Sequence, residues 1–288
     1  MNSNIIDKIF NLLRCPLSNE RLVLNKEKNF LKPLKNSREY LIKGNQIIFN
    51  NENLIINKFV NTKNIIKERY TFLYYFILKF FGPTFPYNIK KEINKYININ
   101  DNKKILLDLG SGNLKLHKNF INLDSFPYKQ VNIVCDAKNI PFLNNSADLI
   151  FSKSFLEHAD EPNKIVDEIY RVLKPGGFSI HSVPFLYPYH ASPFDYQRYT
   201  EEGLKKLFKK FETKKIIPIA GPFSLINVIF LELFSSLFKI FSKNLSNFTF
   251  ILLMILTSPI KYLDYFFLNF KIFENLTVNY LIISQKKN

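Results

Sequence analysis

Residues 106–117 read "LLDLGSGNLKLH". "KILLDL" (104–109) is a near-continuous apolar run, the pattern of a strand buried on both faces of a parallel sheet. It closes with an acid, Asp108, and passes directly into a turn that holds Gly110, Ser111 and Gly112. Glycines here permit backbone angles and a close approach that a Cβ would block. Such a turn sits at the carboxyl end of its strand, where open α/β sheets bind their ligands.

Working outward, "NFINLD" (119–124) and "VNIVCD" (131–136) are two more apolar strands, ending in Asp124 and Asp136, the latter followed by Ala137. "ADLIFS" (147–152) is a fourth, ending at Ser152. "PNKIVDEIYRVL" (162–173) places Ile165, Val166, Ile169, Val172 and Leu173 on one helical face, and "KPGG" is expected to stop that helix. "FSIHSVP" is a fifth strand. "TEEGLKKLFKKF" begins a helix with Thr200 as N-cap, and "ETKKIIPI" is a sixth strand. The seventh, "TVNYLIISQKK" (277–287), follows more than fifty residues later. Alternation of this kind predicts an α/β fold with a Rossmann-like seven-stranded sheet. The spacing also predicts trimming. Asp108 and Asp124 are sixteen residues apart, so a helix between them has at most two turns, and "SFPYKQ" after Asp124 holds none. Parallel crossovers usually take a dozen residues or more, so the crevice is expected to be open.

Four regions are expected. Residues 1–57 are a small β unit, 58–102 a helical linker, 103–220 with 277–288 the main domain, and 221–276 an apolar helical insertion before the last strand. The start of the first unit, "LLRCP", resembles the small zinc ribbons that precede some methyltransferases. A ribbon needs four Cys or His ligands; the second position is Ser18 and the later pair is missing, so no metal is expected. Cys15 and Cys135 form no framework, as suits a reducing cytoplasm. The N-terminus has no signal-peptide pattern, and the expected location is the cytoplasm, peripheral on the inner membrane face.

From about 104 to 208 the chain resembles a class I S-adenosylmethionine-dependent methyltransferase of the type 11 group. The resemblance rests on "LLDLGSGN", "INLDSFP", "CDAKNIPF", "DLIFSKSFLEHADEP", "EIYRVLKPGG" and "VPFLYPYHASPFDYQRYT" in that order. It implies S-adenosyl-L-methionine as cofactor. Asp108 would orient the methionine amino group, with backbone amides of Gly110, Ser111 and Gly112 alongside. Asp124 would face the ribose hydroxyls, and Asp136 and Ala137 the adenine. Pro141 and Phe142 would wall the base, and Ser152 would close the set. A nicotinamide site is the competing reading. It wants G-x-G-x-x-G, and the third glycine position is Lys115.

Methyl transfer from a sulfonium relies on alignment and needs a base only when the acceptor must lose a proton early. His158 and His190 are the base candidates, and Tyr189, Asp195 and Arg198 are expected to line the acceptor pocket. The acceptor is expected to be a small molecule, a lipid or a sugar-linked intermediate. The net charge of +16 suits an anionic partner,, but no nucleic-acid motif is present and no nucleic acid is expected. In 221–276, Glu232, Ser235, Ser236, Lys239 and Ser242 form a narrow polar stripe on a wide apolar surface. An interfacial helix pair resting on a membrane is preferred over a spanning hairpin, a buried subdomain or a homodimer interface. A protein of a second class, a membrane-bound binder that kept the fold and lost catalysis, is also compatible with the trimmed loop.

Overall fold

A computed structural model describes residues 8–25, 29–35, 37–50, 71–190 and 194–288. The strand after which the glycine turn comes is β5 (Leu106–Leu109). It pairs in parallel along its whole length with β6 (Phe120–Asp124) on one side and β8 (Ala147–Lys153) on the other. Beyond β6 lies the short β7 (Ile133–Val134). Beyond β8 lies β9 (Leu173–Pro184), then β11 (Asn279–Gln285), then β10 (Glu212–Ala220). β11 runs antiparallel to both of its neighbours. The seven expected strands are therefore all present, and the fold is α/β with a largely parallel sheet.

Alternation sorts the strand side chains into two cores. Leu107, Ile121 and Ile150 pack with Ile165, Val166, Ile169 and Val172 of α3 (Pro162–Val172). Leu106, Phe120, Phe151 and Leu281 pack on the opposite face with Ile89 and Ile93 of α2 (Ile89–Ile93). Arg171 of α3 holds the loop after β7. It donates to the carbonyls of Ile140 and Phe142 and forms a two-pronged pair with Glu168. α4 (Glu201–Leu207) starts at Thr200, whose hydroxyl accepts the Gly203 N–H as the N-cap pattern required.

Two expectations change. "KPGG" does not cap α3. The helix closes at Val172, and residues 174–177 are an irregularity at the start of β9, where pairing jumps from Ala147↔Leu173 to Leu149↔Phe178. Between β5 and β6 the allowance of two helical turns is not used at all, and the segment is a chain of turns.

The N-terminal residues form β1 (Leu22–Asn25), β2 (Phe30–Pro33), β3 (Tyr40–Lys43) and β4 (Gln46–Ile48). β2 was not anticipated. β4 adds in parallel to β7 through Ile47↔Ile133 and Ile48↔Val134, so these strands continue the main sheet. Ile9, Leu13, Tyr40 and Ile47 share one core with Leu107 and Ile150. The Cys15 sulfur accepts the Ser18 N–H and lies 3.0 Å from the Tyr40 hydroxyl. Part of the expected helical linker, 58–70, lies outside the described residues; α1 (Thr71–Phe81) follows it.

The insertion is α5 (Pro222–Lys239), α6 (Lys243–Thr257), a 3-10 turn at 260–263 and α7 (Asp264–Phe267). Two buried charges fix it. The Asp264 carboxylate accepts the N–H groups of Gly221, Phe223 and Ser224 at 2.9, 2.9 and 3.0 Å, at the positive end of α5,. The Lys261 ammonium donates to the carbonyls of Lys79, Phe80 and Gly82 at the negative end of α1. Burial lowers the Lys261 pKa to about 8. Because β10 runs parallel to β9, the insertion leaves the sheet at the same carboxyl edge as the glycine turn. Asp264→Ala should cost about 2–3 kcal/mol in urea unfolding, since three orphaned amides lose a charged acceptor. Limited proteolysis should then cut within 222–267 before the sheet is attacked.

Candidate active site

The carboxyl ends of β5, β6 and β8 meet around Asp108, Gly110, Gly112 and Asp124. Both glycines are left-handed, with φ of +64° and +57°. A Cβ on Gly110 would stand 2.3 Å from the Phe155 ring, whereas one on Gly112 would meet nothing. The open face of the turn is therefore at Gly112. Asp124 secures it: one carboxylate oxygen accepts the Gly112 N–H at 2.8 Å and the other the Phe126 N–H at 2.9 Å. The Ser111 N–H donates to the Leu123 carbonyl. Burial raises the Asp124 pKa, and these amide bonds oppose the rise.

Asp108 is buried, and its carboxylate makes no hydrogen bond among the described residues. Burial raises its pKa well above the usual carboxylate range. Repulsion from Asp124 adds to this, and the positive charge of Lys153 works against it. A desolvated anion without a donor is costly unless a cation or donor reaches it. The ammonium group of an amino acid is such a partner. Ser154, just after β8, is also left-handed with φ +49°, held by its N–H to the Ser182 carbonyl. Strained non-glycine positions of this kind gather at functional sites. Neither Lys153 nor Ser154 was singled out from the sequence, because nothing local marks a serine for positive φ.

Other expected residues fall differently. Asp136 is exposed at the end of β7, with one oxygen accepting the Lys138 N–H, and Ala137 begins the short turn beside it. Phe142 does not wall the crevice. It is fully buried in the main core, its backbone bridged to Leu13, and Pro141 is buried with it. An apolar cleft does adjoin Asp136, but Pro16, Leu17 and Phe49 of the N-terminal strands and loops line it. Ser152 also does not reach the crevice. Its hydroxyl lies 2.8 Å from His181 Nδ1, and His181 Nε2 lies 2.7 Å from the Ser179 hydroxyl, all fully buried. Desolvation drops the His181 pKa to about 3, so this imidazole is neutral.

Of the residues expected to line an acceptor pocket, Asp195 and Arg198 pair through both oxygens at 2.5 and 2.6 Å. Arg198 also donates to the carbonyls of Tyr187, Pro188 and Gln197. The pair thus staples its own loop, and Arg198 holds the Asp195 carboxyl well below the usual range. Tyr189 stands exposed on that loop. His158 and His190 are brought together, ring centroids 5.2 Å apart, over the fully buried Glu157. Glu157 lies 3.7 Å from His190 Nε2 and raises the His190 pKa.

An open, mostly parallel sheet with a ligand crevice at a left-handed glycine turn defines the class: a Rossmann-like α/β domain. Within it, residues 96–181 match the family described as "Methyltransferase domain". Two curated proteins are similar over short stretches. The ubiquinone/menaquinone biosynthesis C-methyltransferase of Desulfotalea psychrophila is 41% identical over 44 residues, 15% of this chain and 18% of that protein. The malonyl-[acyl-carrier protein] O-methyltransferase of a Marinomonas species is 36% identical over 50 residues, 17% of this chain and 18% of that one. The chain thus matches less than a fifth of the length of each. Among solved structures, phosphoethanolamine N-methyltransferase 2 of Haemonchus contortus, bound to phosphomonomethylethanolamine and S-adenosylhomocysteine, is 15% identical. The match covers 87% of this chain and 62% of that one, with a TM-score of 0.48.

The crevice fits S-adenosylmethionine on its own terms. Asp108 offers an unpaired buried carboxylate for the ammonium, and Gly112 leaves the turn open beside Asp124. Recognition of the ammonium needs Asp108 ionised. Since its pKa is raised, S-adenosylhomocysteine affinity should be full well above that pKa and fall as pH drops through it. The midpoint should lie above the ordinary value of about 3.9. Calorimetry between pH 5 and 8 reads this, and Asp108→Asn should flatten the profile.

Proposed function

We propose that the chain transfers a methyl group from S-adenosylmethionine to an acceptor presented at a membrane surface. The observation that carries the first half is the unpaired Asp108 carboxylate beside the left-handed Gly110–Gly112 turn. The bound cofactor supplies an electrophilic methyl on its sulfonium. The chain's own work is to hold the methionine end through Asp108 and the turn amides, and to keep the ribose side against Asp124. Each Asp124 oxygen retains a lone pair after accepting its backbone amide, so two ribose hydroxyls have acceptors. Residues 185–190 and 194–200, with 154–158, would flank the acceptor in this reading.

The membrane half of the proposal rests on the insertion. α5 is long and apolar enough to cross a membrane, and α6 with 260–267 passes only as a pair bent by 42°. Yet Asp264 ties the later part of this region back to its start at Gly221–Ser224, and Lys261 ties it to the end of α1, which favours helices lying on a surface,. Ile240 and Phe241, at the α5–α6 turn, are 82% and 78% exposed. Ile226, Ile229, Leu233 and Leu237 of α5 and Ile251, Leu252 and Leu256 of α6 are exposed too. Monomeric soluble proteins rarely show so large an apolar face, and the surplus of Lys and Arg suits an anionic bilayer,. A lipid or lipid-linked acceptor would reach the crevice from this side. The two similar curated proteins are named as a C-methyltransferase and an O-methyltransferase, which does not narrow the acceptor here.

A reading as a binder without catalysis is favoured by one feature, the missing helix between β5 and β6, and it predicts different numbers. An enzyme should bind S-adenosylhomocysteine with a dissociation constant well below millimolar, and Asp124→Ala should weaken it at least tenfold by removing the ribose acceptors and freeing the turn. Absence of heat at millimolar ligand would defeat methyl transfer. For the membrane, the full chain should float with vesicles containing anionic lipid, and Ile240→Asp with Phe241→Asp should leave it in the bottom fraction. A parent chain that stays at the bottom would rule the surface out.

A further inference from the structure

Glu157 poses a physical problem that methyl transfer does not use. It is fully buried, and neither carboxylate oxygen has a hydrogen-bond partner among the described residues. An uncompensated buried carboxylate is costly by several kcal/mol. Two imidazoles face it. His190 Nε2 is 3.7 Å and His158 Nε2 3.9 Å from the same oxygen, Oε1.

The far nitrogen fixes the tautomer of His158, and two acceptors against one donor favour the same tautomer for His190. His158 Nδ1 lies 2.5 Å from the Phe194 carbonyl, which only accepts, so Nδ1 carries the proton. His190 Nδ1 lies 3.3 Å from the Pro188 carbonyl and 3.5 Å from an Asp195 oxygen, again acceptors, although the Arg198 guanidinium is also 3.3 Å away. In neutral rings both Nε2 lone pairs then point at an anion. A positive centre between them would relieve that arrangement.

Distance discriminates between a proton and a metal ion. A direct N–H···O bond spans about 2.7–3.2 Å. Ligand atoms about 2.0–2.1 Å from a shared tetrahedral ion stand roughly 3.3–3.4 Å apart. The observed 3.7 and 3.9 Å are too long for the first and need a contraction of only about half an ångström for the second. One ligand atom from each of the three residues lies within 4.8 Å of the others. The Nδ1–H groups directed at a carbonyl and a carboxylate are the outer partners that metal-bound histidines ordinarily have.

We propose that Glu157, His158 and His190 bind one divalent transition-metal ion of the zinc type. Two imidazoles and one carboxylate suit such an ion, whereas magnesium and calcium prefer all-oxygen sites. The carboxylate is wholly buried and the two imidazoles are partly exposed, at 16% and 34%. Remaining coordination positions therefore open on the imidazole side, toward the loop that bears Tyr189. An acceptor oxygen bound there would become more acidic and be fixed in place; this last role rests on the methyl-transfer reading, while metal binding does not.

The test uses the full chain, freed of any affinity tag and chelator-treated, titrated with Zn2+ and with Co2+. One equivalent of Zn2+ should bind at micromolar concentration or tighter. Co2+ should give a visible d–d band without thiolate charge-transfer absorption. Glu157→Gln, His158→Ala and His190→Ala should each weaken binding at least tenfold, and His117→Ala should leave it unchanged. No saturable binding in the parent chain overturns the site, as does a Co2+ spectrum with thiolate bands, or binding that survives both Glu157→Gln and His190→Ala. S-adenosylhomocysteine calorimetry on the same samples separates the two readings. Cofactor binding without metal binding removes only this inference, and metal binding without cofactor binding removes only methyl transfer.

Discussion

The bond from the Gly112 N–H to Asp124 is the constraint on which the rest of the site depends. In a parallel sheet, the turn after a strand is normally held by the helix it enters, whose N-terminus also faces the ligand. Here no helix follows β5. The turn is instead tied to the neighbouring strand end by one carboxylate, by the Ser111 N–H to Leu123, and by the Asn122 side chain, whose amide donates to the Leu114 carbonyl at 2.7 Å. The acid proposed to face the ribose is therefore also the clamp of the glycine turn. This double duty explains how the crossover can be so short without losing the geometry of the strand ends.

The sheet was legible because its signals are local. Apolar runs, acids at strand ends and an amphipathic α3 need no tertiary information, and all the expected strands formed. What the sequence hid depends on contacts between distant segments. The N-terminal strands looked like a separate unit because their pattern is complete in itself, yet β4 pairs with β7 and their side chains share one core. Phe142 sits where an adenine wall would be placed by analogy, but Leu13 bridges its backbone and pulls the ring inward. Ser152 points along its strand toward His181, a cross-strand partner that only the register reveals. Asparagine is structural at two positions no local pattern marks: the Asn132 side chain accepts the Asn122 N–H, and the Asn122 side chain donates to the Leu114 carbonyl.

The insertion illustrates a second limit. Its apolar length and polar stripe were readable, but the devices that dock it were not. Asp264 and Lys261 are three residues apart and look like an ordinary surface pair. Folded, they serve two different helices, one at each end of the dipole. That arrangement lets a wide apolar face remain outward while the region stays registered to the carboxyl edge of the sheet.

The two halves of the crevice are stabilised by different means, and this bears on how it works. The cofactor half is backbone-built. Glycine angles, amide donors and strand register fix it, and side chains mostly lock that backbone. The acceptor half is side-chain-built, with Asp195 and Arg198 consumed in holding their own loop. With that pair spent on structure, Glu157, the two imidazoles above it and the exposed Tyr189 are polar groups at this edge among the described residues. A buried carboxylate under two imidazoles is stabilised by positive charge, and Glu157 accordingly raises the His190 pKa; the metal ion proposed above would supply the same charge from a fixed position.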